Sequence, residues 1–103
     1  MVKVQVLYID ACPNWIEAVE RTRAALDATG LAGTEVESVL VHTEAEAAAA
    51  VFGGSPTVLV DGEDLFPGAR TSDLACRVYF TEVGTAGMPS GQQLEEALHR
   101  RAT

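Results

Sequence analysis

The chain has little positive charge, few aromatic side chains and no long apolar run. It carries 7 lysine and arginine residues against 15 aspartate and glutamate residues, a formal net charge of −8 at pH 7. Phosphate backbones and anionic lipid surfaces repel such a protein, so we expect neither nucleic acid nor a membrane as its partner. No apolar run reaches the ~18 residues of a transmembrane helix. The N-terminal segment has the pattern of a strand and not of a signal peptide, which favours a cytoplasmic location.

Cysteine is also scarce, because the chain contains only Cys12 and Cys76. Two cysteines so far apart do not form the disulfide framework of a small secreted protein. Together with His42 and His99 they show no metal-ligand spacing, so we predict no metal site and no resident cofactor. Hydrophobic residues still make up 48% of the 103 residues. We therefore expect one folded domain over residues 1–103.

The hydrophobic pattern predicts strands and helices in the order β-α-β-α-β-β-α. Residues Val2–Ile9 form an apolar run typical of a strand covered on both faces. Apolar residues recur at helical spacing over Asn14–Thr29, and Gly30 marks the end of that helix. The remaining predicted elements are strands at Thr34–Val41, Val58–Val60 and Leu74–Phe80, a capped helix from Thr43 to near Phe52, a loop over Glu63–Asp73, a turn-rich segment over Gly84–Pro89 and a helix after Ser90.

Cys12 stands where the first predicted strand gives way to the first predicted helix. The N-terminus of a helix presents unpaired N–H groups and a partial positive charge. A thiolate is stabilised there, which makes Cys12 a candidate nucleophile, partly exposed at the helix start. The negative charge of Asp10 acts in the opposite direction. The pattern indicates thiol chemistry.

The order of elements, with Cys12-Pro13 opening the first helix and Ser55-Pro56-Thr57 opening the third strand, resembles the thioredoxin-like superfamily. The resemblance covers nearly the whole chain. It implies an α/β thioredoxin-like fold, with a four-stranded mixed sheet flanked by helices on both faces. It also implies that Cys12 is the nucleophile, that Pro56 faces it in cis, and that Ser55 offers its backbone to an extended peptide or to glutathione.

The chain departs from the family pattern at Trp15. Oxidoreductases of the superfamily usually carry Cys-x-x-Cys, and Trp15 stands where the second cysteine would be. The dithiol cycle therefore cannot run within the motif. We expect a thiol oxidoreductase of monothiol type, in which Cys12 exchanges with a protein disulfide or a small thiol and glutathione serves as co-substrate. Two alternatives stay open: a non-catalytic thioredoxin-like module that binds a peptide or small molecule, and the handling of a soft metal such as mercury.

Cys76 is the obvious partner for Cys12, but the predicted strand order argues against it. That strand order would place Cys76 near the start of the fourth strand, at the far end of the sheet from Cys12. This is too far for a disulfide, because a disulfide needs Cα atoms within about 7 Å. Cys76 also shares an apolar face with Leu74 and Val78. We therefore expect a buried, structural cysteine at this position.

Three further side chains are candidate parts of the site. His42 ends the second predicted strand and Asp10 follows the first, so both belong to the edge that carries Cys12. We name them as auxiliary residues, with His42 as a base or an electrostatic partner and an exposed loop histidine as the alternative. Trp15 is a candidate substrate contact, with packing under the first helix as the alternative.

Overall fold

The computed structural model describes residues 3–31, 33–68 and 70–102, so the predicted strand start at Val2 lies outside it. The described residues form a mixed α/β fold with a four-stranded mixed sheet and three helices. None of these helices is both long enough and apolar enough to cross a membrane. The elements are β1 (Val4–Tyr8), α1 (Trp15–Ala28), β2 (Val36–Leu40), α2 (Glu44–Ala49), β3 (Thr57–Val60), β4 (Glu63–Asp64), β5 (Tyr79–Thr81), β6 (Gly84–Ala86) and α3 (Gly91–Ala102).

The four-stranded sheet has the order β2-β1-β3-β4, with β1 at its centre. Strand β2 is parallel to β1, as a helical crossover between consecutive strands requires. Strand β3 is antiparallel to β1, and β4 is antiparallel to β3. Asp61 and Gly62 join β3 to β4 with φ values of 53° and 83°. Two successive residues in the left-handed region are typical of the tightest hairpin turn, for which Asp-Gly is a preferred pair.

The prediction of a fourth strand at Leu74–Phe80 is wrong. The tight hairpin supplies β4, directly after β3, and this strand occupies the edge of the sheet. Residues Tyr79–Thr81 instead pair with Gly84–Ala86 in a separate two-stranded sheet. The alternating apolar pattern does not mark a buried face, since Val78 is 60% exposed and Phe80 is 79% exposed.

Helices cover both faces of the sheet, and alternate residues of β1 and β3 pack against them. On one face, valines of the strands meet aliphatic side chains of α1 and α3. The main members of this cluster are Val4, Val6, Val58, Val60, Leu26, Leu94 and Leu98. On the opposite face a smaller cluster, called here the α2-side cluster, contains Leu7, Ile9, Cys12, Val41, Ala47, Phe52 and Leu59.

Helices α2 and α3 each begin with a capping box. Before α2, the Glu46 N–H donates to the Thr43 hydroxyl at 3.1 Å and the Thr43 N–H donates to the Glu46 carboxylate at 3.2 Å. Ser90 and Gln93 make the same reciprocal pair before α3, at 3.1 Å each. Helix α2 ends at Ala49, earlier than predicted.

Arg77 fastens the segment after the loop to the edge of the sheet. Its guanidinium lies 2.8 Å from the Asp64 carboxylate, and both side chains are 12% exposed. It also donates to the Phe66 carbonyl and lies over the Tyr79 ring, 4.8 Å from the centroid. A planar guanidinium that bridges a carboxylate, a carbonyl and a ring holds three parts of the chain together.

We predict that Arg77→Met lowers the free energy of unfolding by about 3–5 kcal/mol, because Asp64 would be left as a buried charge without its partner. Arg101→Met is the matched control, since Arg101 pairs at 3.2 Å with Glu63 on the same strand, where the side chains are 32% and 73% exposed. That exposed pair contributes at most about 1 kcal/mol. Urea unfolding at pH 7 measures both values, and equal losses would contradict the role given to Arg77.

Candidate functional site

Cys12 lies in the turn that connects β1 to α1, with its sulfur against the backbone of Ser55. The Cys12 N–H donates to the Ile9 carbonyl at 3.2 Å and closes the turn. The thiol donates to the Ser55 carbonyl, with a sulfur–oxygen distance of 3.7 Å. The Ile9 N–H donates to the Ser55 hydroxyl at 3.0 Å. Ser55 therefore fixes both ends of the turn that carries Cys12.

The Cys12 side chain is buried, which differs from the partly exposed thiol expected from its place before a helix. Its exposed fraction is 0%. The difference arises because the side chain packs within the α2-side cluster. A disulfide partner that is to react with this sulfur must first displace the residues that cover it.

Cys76 lies on the other side of Ser55. The Ser55 N–H donates to the Ala75 carbonyl at 2.9 Å, and the Arg77 N–H donates to the Ser55 carbonyl at 2.8 Å. These two bonds form an isolated parallel bridge between Ser55 and Cys76. The Cys76 side chain is exposed, and both cysteines are free thiols. The nearby Cys12 thiol, and secondly burial, raise the pKa of Cys76. Both cysteines thus lie beside Ser55.

The expectation that Cys76 is buried and distant from Cys12 is therefore wrong. It depended on a fourth strand running back along β3, and β4 takes that place. Residues 74–78 are left outside the main sheet and pass the beginning of β3 instead. There they run parallel to Ser55, which brings Cys76 to the same edge as Cys12.

Ser55 and Pro56 are fully buried, and the peptide bond between them is cis. The Tyr79 hydroxyl donates to the Pro56 carbonyl, and burial raises the pKa of this phenol. Ser55 was expected to offer its backbone to an extended partner. Its N–H and carbonyl are already paired with Ala75 and Arg77. The chain's own segment thus occupies the backbone groups that a bound peptide would use.

Trp15 contributes a packed ring at the start of α1. It stacks on Tyr8 with ring centroids 4.2 Å apart and planes inclined by 14°. It also packs against the core shared by the sheet, α1 and α3. One face of the indole is therefore taken by Tyr8, as the packing alternative predicts. Gly87, in the predicted turn-rich segment, lies against the side chain of Asn14 and so borders this corner.

His42 and Asp10 lie together in a groove of about 470 Å³ at this edge. Its lining residues are Ile9, Asp10, Ala11, Leu40, Val41, His42 and Leu74. The groove thus lies between the turn that carries Cys12 and the segment that carries Cys76. His42 Nδ1 is 3.4 Å from the Glu46 carboxylate, and the pKa of Glu46 is lowered first by the hydrogen bond from the His42 N–H. A carboxylate that stays charged near neutral pH therefore lies beside the His42 ring.

The residues that sequence reasoning missed are Cys76, as a site residue, and Arg77, which positions it. Their only local signal was the alternating pattern, which pointed to a strand. In the described part of the chain, no group of three or more His, Cys, Asp or Glu side chains could hold a metal ion. The large separation of Cys12 from Cys76 expected from the predicted strand order is not found, since both lie beside Ser55. Comparison of the chain with protein-family models, with curated proteins and with solved structures gives no match.

We predict that Cys12→Ala lowers the pKa of Cys76, because the sulfur that raises it is removed. More thiolate is then present at any pH below that pKa, so Cys76 should be alkylated roughly two- to tenfold faster. Iodoacetamide labelling followed by peptide mapping, from pH 6.5 to 9.5, measures the rate at Cys76 alone. Val41→Ala, which truncates another member of the α2-side cluster, is the control for loosened packing. An unchanged pH profile for Cys12→Ala would contradict the influence of the Cys12 thiol on Cys76.

Proposed function

We propose that the protein is a thioredoxin-like thiol–disulfide oxidoreductase in which Cys12 is the nucleophile. The observation that carries the proposal is the position of the Cys12 sulfur, 3.7 Å from the carbonyl of Ser55 at the junction of β1 and α1. The β1–α1–β2 unit with an antiparallel β3 that begins after Pro56 supports the thioredoxin-like assignment. The Cys12 sulfur faces Ser55, the residue that precedes Pro56.

The reaction is the attack of the Cys12 thiolate on one sulfur of a substrate disulfide. The S–S bond of the substrate breaks, a mixed disulfide forms on Cys12, and the other half leaves as a thiolate. Cys12 precedes the first residue of α1, Trp15, by three positions, and the Asn14 side chain makes no capping hydrogen bond there. The partial positive charge at a helix N-terminus favours a thiolate placed near it.

The groove beside the Cys12 turn is the route by which we propose that a substrate reaches the sulfur. The groove lined by His42 and Asp10 leads to the turn that holds the buried sulfur. Either a small disulfide or an extended protein segment can enter by this route once the residues that cover Cys12 move aside. We propose a protein disulfide or a small mixed disulfide as substrate, with glutathione as the thiol that completes the cycle.

We predict that Cys12→Ser lowers the rate of disulfide reduction by roughly 10³-fold or more, the scale of losing a catalytic nucleophile. Reduction of insulin disulfides and of a glutathione mixed disulfide, each followed with glutathione as reductant, measures the loss. Ala25→Ser is the matched control, because it places a hydroxyl at another buried position in the fold. Retained reduction by a folded Cys12→Ser protein would contradict the role of Cys12 as nucleophile. Absence of reduction in wild type as well, with partner binding unchanged in Cys12→Ser, would instead identify a non-catalytic binding module.

A second candidate function, the binding of a soft metal ion, is favoured by the proximity of the two thiols. Thiolates select soft metals, and two of them suffice for an ion that prefers two ligands, such as Hg²⁺. Titration of the reduced protein with Hg²⁺ should then consume both thiols at one equivalent. Cys12→Ser and Cys76→Ser should each abolish tight one-to-one binding. Consumption of one thiol per equivalent would exclude a shared site.

A further inference from the structure

We propose that Cys76 is the second redox thiol of this protein and closes an intramolecular disulfide with Cys12. The proposal rests on the proposed function, since the substrate disulfide that Cys12 attacks is the oxidant. It replaces a monothiol cycle by a dithiol cycle in which the second sulfur comes from outside the Cys12-Pro13-Asn14-Trp15 motif.

The backbone of Ser55 holds the segments that carry the two cysteines. The turn carrying Cys12 is tied to Ser55 through the Ile9 N–H and the Cys12 thiol. The segment carrying Cys76 is tied to the same residue through the Ala75 carbonyl and the Arg77 N–H. Closing a disulfide between groups already held together requires little reorganisation, which gives it a large advantage over attack by a thiol from solution.

Neighbouring contacts hold the Cys76 segment in this position. Gly54 has a φ of 106°, and a Cβ built there would lie 2.9 Å from the Arg77 Cβ and 3.1 Å from its Cα. Only glycine combines this backbone conformation with so close an approach. Beyond Cys76, the segment is held by the ion pair of Arg77 with Asp64 and by the bond from Tyr79 to Pro56.

The two sulfurs act in separate steps, and the exposed sulfur, that of Cys76, is the one that the small thiol reaches. Cys12 attacks the substrate R–S–S–R′, forms Cys12–S–S–R and releases R′SH. The Cys76 thiolate then attacks the Cys12 sulfur, which forms the Cys12–Cys76 disulfide and releases RSH. A small thiol attacks the exposed Cys76 sulfur, with Cys12 as the leaving thiolate, and forms a mixed disulfide on Cys76. A second small thiol attacks this mixed disulfide, which frees the Cys76 thiol and releases the disulfide of the two small thiols. Two electrons pass from two small thiols to one substrate disulfide.

The experiment exposes reduced protein to oxidised glutathione and identifies the products by intact mass and peptide mapping. Wild type should lose two hydrogens, carry no adduct and yield one linked peptide pair containing Cys12 and Cys76. Cys76→Ser should stop at a glutathione adduct on Cys12, and its turnover should be restored by excess glutathione. A purely structural role for Cys76 would not produce this rescue.

Gly54→Ala keeps both thiols and tests the placement alone. It should slow closure roughly 10–100-fold, the usual cost of a displacement of about 1 Å at a reacting pair. Gly62→Ala is the matched control, since Gly62 also has a positive φ but no atom lies within 4 Å of a Cβ built there. Closure should proceed in this variant at the wild-type rate.

Two results would overturn the proposal: an adduct on Cys12 beside a free Cys76 in wild type, or Cys76→Ser turnover equal to wild type at limiting glutathione. Either would leave Cys12-dependent reduction intact, and hence the proposed function. Closure of the linked pair in a protein that reduces no disulfide would instead support the pair and remove the oxidoreductase assignment. The chemical and kinetic readouts thus separate the two ideas.

Discussion

The hydrogen bonds of Ser55 are the constraint on which the site depends. This fully buried residue accepts from the Ile9 N–H through its hydroxyl, and from the Cys12 thiol and the Arg77 N–H through its carbonyl. Its own N–H donates to Ala75. Each such bond contributes a net ~0.5–1.5 kcal/mol, whereas a buried donor or acceptor left without a partner costs more. Neither the Cys12 turn nor the Cys76 segment can leave Ser55 without exposing or orphaning one of these groups.

This arrangement reconciles a buried sulfur with thiol chemistry. A buried cysteine reacts slowly with adventitious oxidants, because oxidation follows exposure as well as thiolate character. The Cys76 segment borders the site and is held there chiefly by contacts of Arg77 and Tyr79. It lies outside the main sheet, so it can be displaced without breaking β1 or β3.

The sequence predicted the features that depend on local chemistry. Helix α1 was predicted at Asn14–Thr29 and spans Trp15–Ala28, and both capping boxes form. The central strands follow from apolar runs of the kind that doubly covered strands require.

The failures are features set by distant partners. Strand β4 has only two residues, too few to show a periodic pattern in the sequence. It occupies the position in the sheet that was predicted for Leu74–Phe80. The position of Cys76 followed from that misplaced strand. The burial of Cys12 depends on its packing with side chains as distant in the sequence as Phe52 and Leu59, which no local pattern encodes.

In the proposed dithiol cycle, Trp15 is the reason that the second thiol comes from elsewhere in the chain. Its ring stacks on Tyr8 and fills space between the sheet and α1, so this position of the motif serves packing. A cysteine there would leave a cavity where the indole lies and cost stability. The chain has one other cysteine, and its backbone is bridged to the residue that holds Cys12. In the proposed cycle, the departure from Cys-x-x-Cys and the position of residues 74–78 are therefore linked. Trp15 of the motif packs against the core, and residues 74–78 supply the second sulfur.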